Sequence, residues 1–195
     1  MSRDPKPEIG KGKAGRTSFP RRFLGDRRGS TAIEFAMLAL PFALLVFAIL
    51  ESCISFAGQE VMTNITDDIA RQLRTGQLRQ ADVAGVKLKN MICAKLEIIV
   101  AKNCPGLLVD LRAFATFDDA AKAGFKISGP DIVLTGTTDT TFQVQTGLAE
   151  TRNMLRVFYK WPVMTDFMAS SMANIEGGKT LHFASVTWQN EPFNN

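Results

Sequence analysis

Glu34 is the residue whose chemistry is hardest to place. It stands one turn into an apolar stretch, just ahead of an uncharged run from Phe35 to Leu50 that holds Pro41. A carboxylate in lipid costs a few kcal/mol even on mild insertion scales. It therefore either stays wet at the headgroup boundary or pairs with a cation inside the membrane, and the residues alone leave both open. Immediately before it come Arg27-Arg28-Gly29-Ser30, a step from a basic cluster through glycine into small residues.

Other reactive groups are sparse. The three cysteines are Cys53, inside the apolar stretch, and Cys93 and Cys104, which flank a short connection beyond it. Outside the cytoplasm, Cys93 and Cys104 would make a disulfide; otherwise they are two small buried residues. A metal site is not expected, because the pair has no nearby partner and His182 is the chain's single histidine. His182 alternates with apolar neighbours and reads as structural. The neighbouring carboxylates Asp67-Asp68 and Asp118-Asp119 point apart on a helix and read as solvated, not as an acid–base pair. There is no Gly-rich phosphate loop, G-x-S-x-G elbow, H-E-x-x-H or Cys-x-x-Cys. No catalytic residue and no cofactor is expected.

The elements around Glu34 set the class. From about Thr31 to Ala57 the stretch is long enough for a membrane helix, which needs about 20 apolar residues, and backbone groups in lipid must pair internally. Residues 1–28 carry nine Lys or Arg against three acids, so the chain's net charge of +4 resides wholly in that segment. With Pro5, Pro7, Pro20 and several glycines it reads as disordered. Arg21, Arg22, Arg27 and Arg28 crowd one flank of the span, while Glu51 and Glu60 precede the first cation on the other, Arg71. The positive-inside rule keeps the N-terminus cytoplasmic and sends the rest outward. The remaining chain is slightly acidic, which argues against nucleic-acid binding.

Beyond the span, Val61, Ile65, Ile69 and Leu73 recur at helical spacing, with Gly76 as a stop. A second helix capped by Asp82 is predicted up to about Leu96. Strands are predicted over residues 107–117, 153–163 and 181–189 from their period of two, with Leu155, Val157 and Tyr159 on one face of the second. Residues 118–129 read as a short helix and a turn. Residues 130–150 read as loop, with room for one short strand near Phe142, and residues 165–175 read as a short helix. Trp161, Trp188, Phe158 and Phe193 read as core. The fold class is α+β: a long N-terminal helix, transmembrane then amphipathic, packed on a small antiparallel sheet.

Gly29-Ser30-Thr31-Ala32-Ile33-Glu34 resembles a type IV prepilin processing site, a basic leader ending in glycine and then an apolar helix with glutamate at its fifth position. With Phe35, Ala36 and Pro41, and with Phe158-Tyr159-Lys160-Trp161-Pro162 and Trp188-Gln189-Asn190-Glu191-Pro192-Phe193, the chain resembles the TadE-like pseudopilins of Tad (Flp-type) pilus systems. Cys93 and Cys104 fall where that family often carries cysteines. The leader is long for the family, and Cys53 puts a thiol in the span.

The resemblance implies a pilin-like fold and a minor pseudopilin role in pilus assembly. A prepilin peptidase would cut after Gly29, where glycine permits close approach to the backbone, and expose Ser30 as a new amino terminus. Glu34, with Phe35 beside it, would serve subunit assembly by pairing with that amine on a neighbouring pilin. Residues 1–29 would be the cleaved cytoplasmic leader, 30–58 the transmembrane helix, and 59–195 the extracytoplasmic domain. The implied partners are the peptidase, the major Flp-type pilin and other pseudopilins, the inner-membrane assembly platform and the lipid bilayer. The location is the bacterial inner membrane, single-pass, with the domain periplasmic or carried out on the pilus. The competing reading is a periplasmic binding module of unknown ligand, either Sec-exported and cut near Ala57 or held by an uncleaved anchor.

Overall fold

The computed structural model describes residues 30–137 and 139–192. Gly29, the leader before it and Phe193 lie outside the described residues. The chain divides into two compact units, Met1–Leu45 and Val46–Asn195. The described part of the first is helix alone.

Helix α1 runs from Ser30 to Arg74. Its Pro41 cannot donate a backbone hydrogen bond, yet the helix continues through it. From Glu51 onward one stripe turns inward: Glu51, Ser55, Gly58, Met62, Ile65, Thr66, Ile69, Ala70 and Leu73 are buried. The steps of three and four hold one face on a 3.6-residue helix. At its end the Gly76 N–H donates to Leu73 O and the Gln77 N–H to Gln72 O.

Two helices follow, α2 (Gln80–Val83) and α3 (Lys87–Leu96). The sequence predicts one helix capped by Asp82; instead Gly85 takes a positive φ of 63° and splits it. Asp82 is the third residue of its turn, and its carboxylate accepts the Arg79 N–H at 2.9 Å. Helix α3 is held to α1 by Asp68, which accepts hydrogen bonds from Lys95 at 2.6 Å and Gln72 at 3.0 Å. The Lys95 ammonium is the main cause that holds the Asp68 carboxyl down at about 2.

Cys93 and Cys104 form a disulfide between the end of α3 and the loop into β1. Closing a loop of this length removes about 3 kcal/mol worth of unfolded-chain entropy. Cys93→Ser with Cys104→Ser is expected to cost about that much in a urea titration of the full chain in detergent. An unchanged midpoint would show the bridge to be dispensable.

The sheet has three antiparallel strands in the order β1 (Leu107–Phe114), β4 (Arg152–Pro162), β5 (Lys179–Gln189). Leu107 faces Tyr159 at one end of the first pairing, and Arg152 faces Gln189 at one end of the second. Leu155, Val157, Tyr159 and Trp161 pack with Met62, Ile65, Ile69 and Leu73 in one core. Each fully buried aliphatic side chain of this kind contributes about 1.5–3 kcal/mol. This is the α+β arrangement of a long helix on an antiparallel sheet, pilin-like in form.

The other sheet face carries a hairpin that sequence patterning does not give. After α4 (Phe117–Lys122), strands β2 (Gly124–Ser128) and β3 (Asp131–Thr135) pair antiparallel. They cover Phe158 with Ile132, Leu134 and Phe125. Near Phe142 there is one isolated bridge, Val144 to Leu111. Helix α5 spans Asp166–Met172.

Behind the hairpin lies a buried ionic cluster. Asp110, wholly inaccessible, accepts from Arg112 Nε at 2.9 Å and Arg156 Nη2 at 2.7 Å. The remaining guanidinium groups donate to backbone carbonyls of Asp139, Thr141, Ala123 and Gly124.

Candidate functional site: the apolar helix and its polar seam

Among the described residues, one helix is long and apolar enough to cross a membrane, and none of its most apolar stretch is buried. Phe35, Leu38, Phe42 and Leu45 are exposed. Unlike the helices of a soluble core, this segment turns apolar side chains outward on every side. The helix is described from Ser30 onward, and Glu34 and Phe35 lie near that end of the described range, both exposed. Gly29 lies outside the described residues, so the two halves of the expected processing site are not seen together. Cys53 is exposed and unpaired on the same helix. Cys93 and Cys104 lie elsewhere in the folded unit, and although Glu97 is close to both sulfurs, the disulfide occupies the thiolates a metal would need.

Where the helix enters the folded unit, a seam of polar contacts takes over. Glu51 accepts the backbone N–H groups of Met164 and Thr165 and, at 2.6 Å, the Thr165 hydroxyl. Thr165 in turn caps α5 by accepting the Met168 N–H. One turn on, the Ser55 hydroxyl and His182 Nε2 are 3.0 Å apart. The Gln59 amide then reads the backbone of edge strand β5, donating to Phe183 O at 2.8 Å and accepting from Phe183 N at 3.2 Å. That satisfies groups an edge strand otherwise leaves open.

Gly58 lets this seam close. A Cβ there would lie 2.5 Å from the Trp161 ring. Trp161 is pinned by stacking on His182, with centroids 4.8 Å apart. Sequence reasoning missed Glu51, Ser55, Gln59 and Gly58 as packing residues, because a polar residue on an apolar helix reads as its wet side. The signal was their spacing, which extends the Met62–Leu73 stripe backward by steps of three and four.

The seam does not make a nucleophilic site. Ser55 and His182 are both buried, and Glu51 is committed to Met164 and Thr165. Burial pushes the His182 pKa down to about 4 from its usual 6.5. Between those values the unfolded chain binds the proton and the folded chain does not, so stability falls as pH drops through that window and is fully present above it. The loss is on the order of 3 kcal/mol. Urea midpoints measured from pH 7 to pH 4 are expected to show this slope, and His182→Gln is expected to flatten it. An equal slope in the variant would assign the effect to other groups.

Residues 29–71 match the family model for TadE-like protein. Over this segment the chain is similar to the TadE-like family. The match takes in Ser30, Glu34, the exposed apolar helix and the seam through Gln59, and it ends three residues before α1 does. The disulfide and the sheet lie beyond the TadE-like segment. Comparison with curated proteins and with solved structures returned no match.

Proposed function

We propose that this chain is a minor pseudopilin of a Tad (Flp-type) pilus, structural and not catalytic. The observation that carries this reading is the coincidence of the TadE-like segment with a helix apolar on all sides. In this reading a prepilin peptidase cuts after Gly29 and releases the basic leader. The helix crosses the inner membrane with its leader end cytoplasmic, and the sheet unit stands in the periplasm. Glu34 pairs with the amine of a neighbouring pilin, which sets register, the best-attested use of such pairs. The partners are the peptidase, the major pilin, other pseudopilins and the inner-membrane assembly platform.

The rival is an exported binding module cut near Ala57. That cut would remove Glu51 and Ser55 and strip Thr165 and His182 of their partners. Each hydrogen bond lost in this way costs about 0.5–1.5 kcal/mol, which weighs against it.

The test is the mature N-terminus, by sequencing or intact mass of protein from host membranes with and without the prepilin peptidase. A chain starting at Ser30 only when the peptidase is present is the expected result. A start at Gly58 or Met1 in both strains would overturn it.

A further inference from the structure

Helix α5 buries none of its side chains, although it contains Phe167, Met168 and Met172. Met164 and Phe167 are 66% and 68% exposed. Met168 and Met172 are half-buried against the rest of the unit, but Met164 and Phe167 turn outward and need another reason to be held in place. The turn is held by Glu51, through the Met164 and Thr165 N–H groups and the Thr165 hydroxyl.

Glu51 is the first charged residue after the uncharged run Phe35–Leu50. At about 1.5 Å per residue the uncharged run covers about 24 Å, and with the turn from Thr31 before it about 30 Å, one hydrocarbon thickness. Glu51 therefore fixes Met164 and Phe167 at the level where the apolar run stops. On the helix itself Phe47, Leu50 and Ile54 are exposed and continue toward that rim.

Beside the rim lies a groove of about 450 Å³, lined by Ile54, Val100, Trp161 and Met164 with Lys160 and Lys179. Lys179 is exposed. Apolar surface edged by lysine suits acyl chain below and phosphate above.

We infer that Met164, Phe167 and the adjoining groove form a membrane-contact surface, seated on phospholipid at the headgroup boundary of the leaflet where the span ends. This rests on the membrane-span reading above. The rim of the folded unit then has phospholipid as its partner. It leans on the bilayer until assembly lifts it off.

The experiment uses the full chain in vesicles of phosphatidylglycerol and phosphatidylethanolamine, in a Cys53→Ser background with the disulfide intact. Single cysteines are introduced by Phe167→Cys, by Leu148→Cys as an exposed apolar control in the same unit, and by Leu45→Cys in the span. Each is labelled with an environment-sensitive fluorophore and quenched by doxyl lipid or by aqueous iodide. Position 167 is expected to be quenched severalfold more by doxyl lipid, and severalfold less by iodide, than position 148. Equal behaviour at 167 and 148, with position 45 lipid-quenched, overturns the inference while leaving the span intact. Position 45 open to iodide sinks the span reading itself. Protection at 167 that disappears when protein is diluted into excess lipid assigns the rim to a second copy and also overturns it. Met164→Cys repeats the measurement at a neighbouring site.

Discussion

Asp110→Ala is expected to destabilise the folded unit by about 3–5 kcal/mol, the usual consequence of removing one partner from a buried ion pair. Domains of this size have roughly 5–15 kcal/mol in total, so the variant approaches the limit of folding. Among the described residues, Asp110 is the one carboxylate paired with the two buried guanidinium groups. It accepts from Arg112 Nε at 2.9 and 3.1 Å, from Arg156 at 3.2 and 2.7 Å, and from the Gln143 N–H at 3.1 Å. Arg156 is 2% exposed and Arg112 8%. Without Asp110 two cations remain in the interior, and the loop at Gln143 loses one of the hydrogen bonds that hold it. The arginines also carry the Ala123, Gly124, Asp139 and Thr141 carbonyls, so the hairpin is expected to loosen with the cluster. Replacing all three charges together, Asp110→Leu with Arg112→Met and Arg156→Met, should cost less than the single change, since no unpaired charge is left. Urea midpoints of the full chain in detergent read both. A loss under about 1 kcal/mol for Asp110→Ala would mean that the guanidinium groups reach water.

Glu34→Ala is expected to abolish incorporation into the pilus while leaving membrane insertion intact. A carboxylate near the start of a span opposes insertion by up to a few kcal/mol, so removing it cannot harm insertion. What it removes is the acid proposed to meet the Ser30 amine of a neighbouring subunit. Glu34→Gln separates charge from shape: it keeps the size and the hydrogen-bonding groups but not the charge, and it should fail in the same way. Membrane fractionation reports insertion, and immunoblots of sheared filaments report incorporation. Normal amounts of Glu34→Ala in filaments would remove the register argument.

Much of the fold was legible where one physical term dominates. The Val61–Leu73 stripe and the alternation through Leu155, Val157 and Tyr159 are burial patterns, and both face one core. The hairpin of β2 and β3 was not legible, because Gly129-Pro130 and the Thr- and Asp-rich run beyond it carry the composition of a loop. Its pairing is decided by Phe158 and Leu134 across the sheet, not by local preference. The same holds for the candidate site. Glu34 and Phe35 stand out by type against an apolar background. Glu51 reads in sequence only as a flanking charge, since its partners Met164 and Thr165 are more than a hundred residues away.

That separation also has a meaning in time. The strands that cover α1 are made well after it: β4 begins at Arg152 and β5 ends at Gln189. At roughly 5–20 residues per second, synthesis from the end of α1 to the end of β5 lasts on the order of ten seconds. During that interval the Met62–Leu73 face has no sheet to lie against and Glu51 has no partner. The helix is thus available to the membrane, and its lower half to any chaperone waiting there, before the protein has the means to close over it.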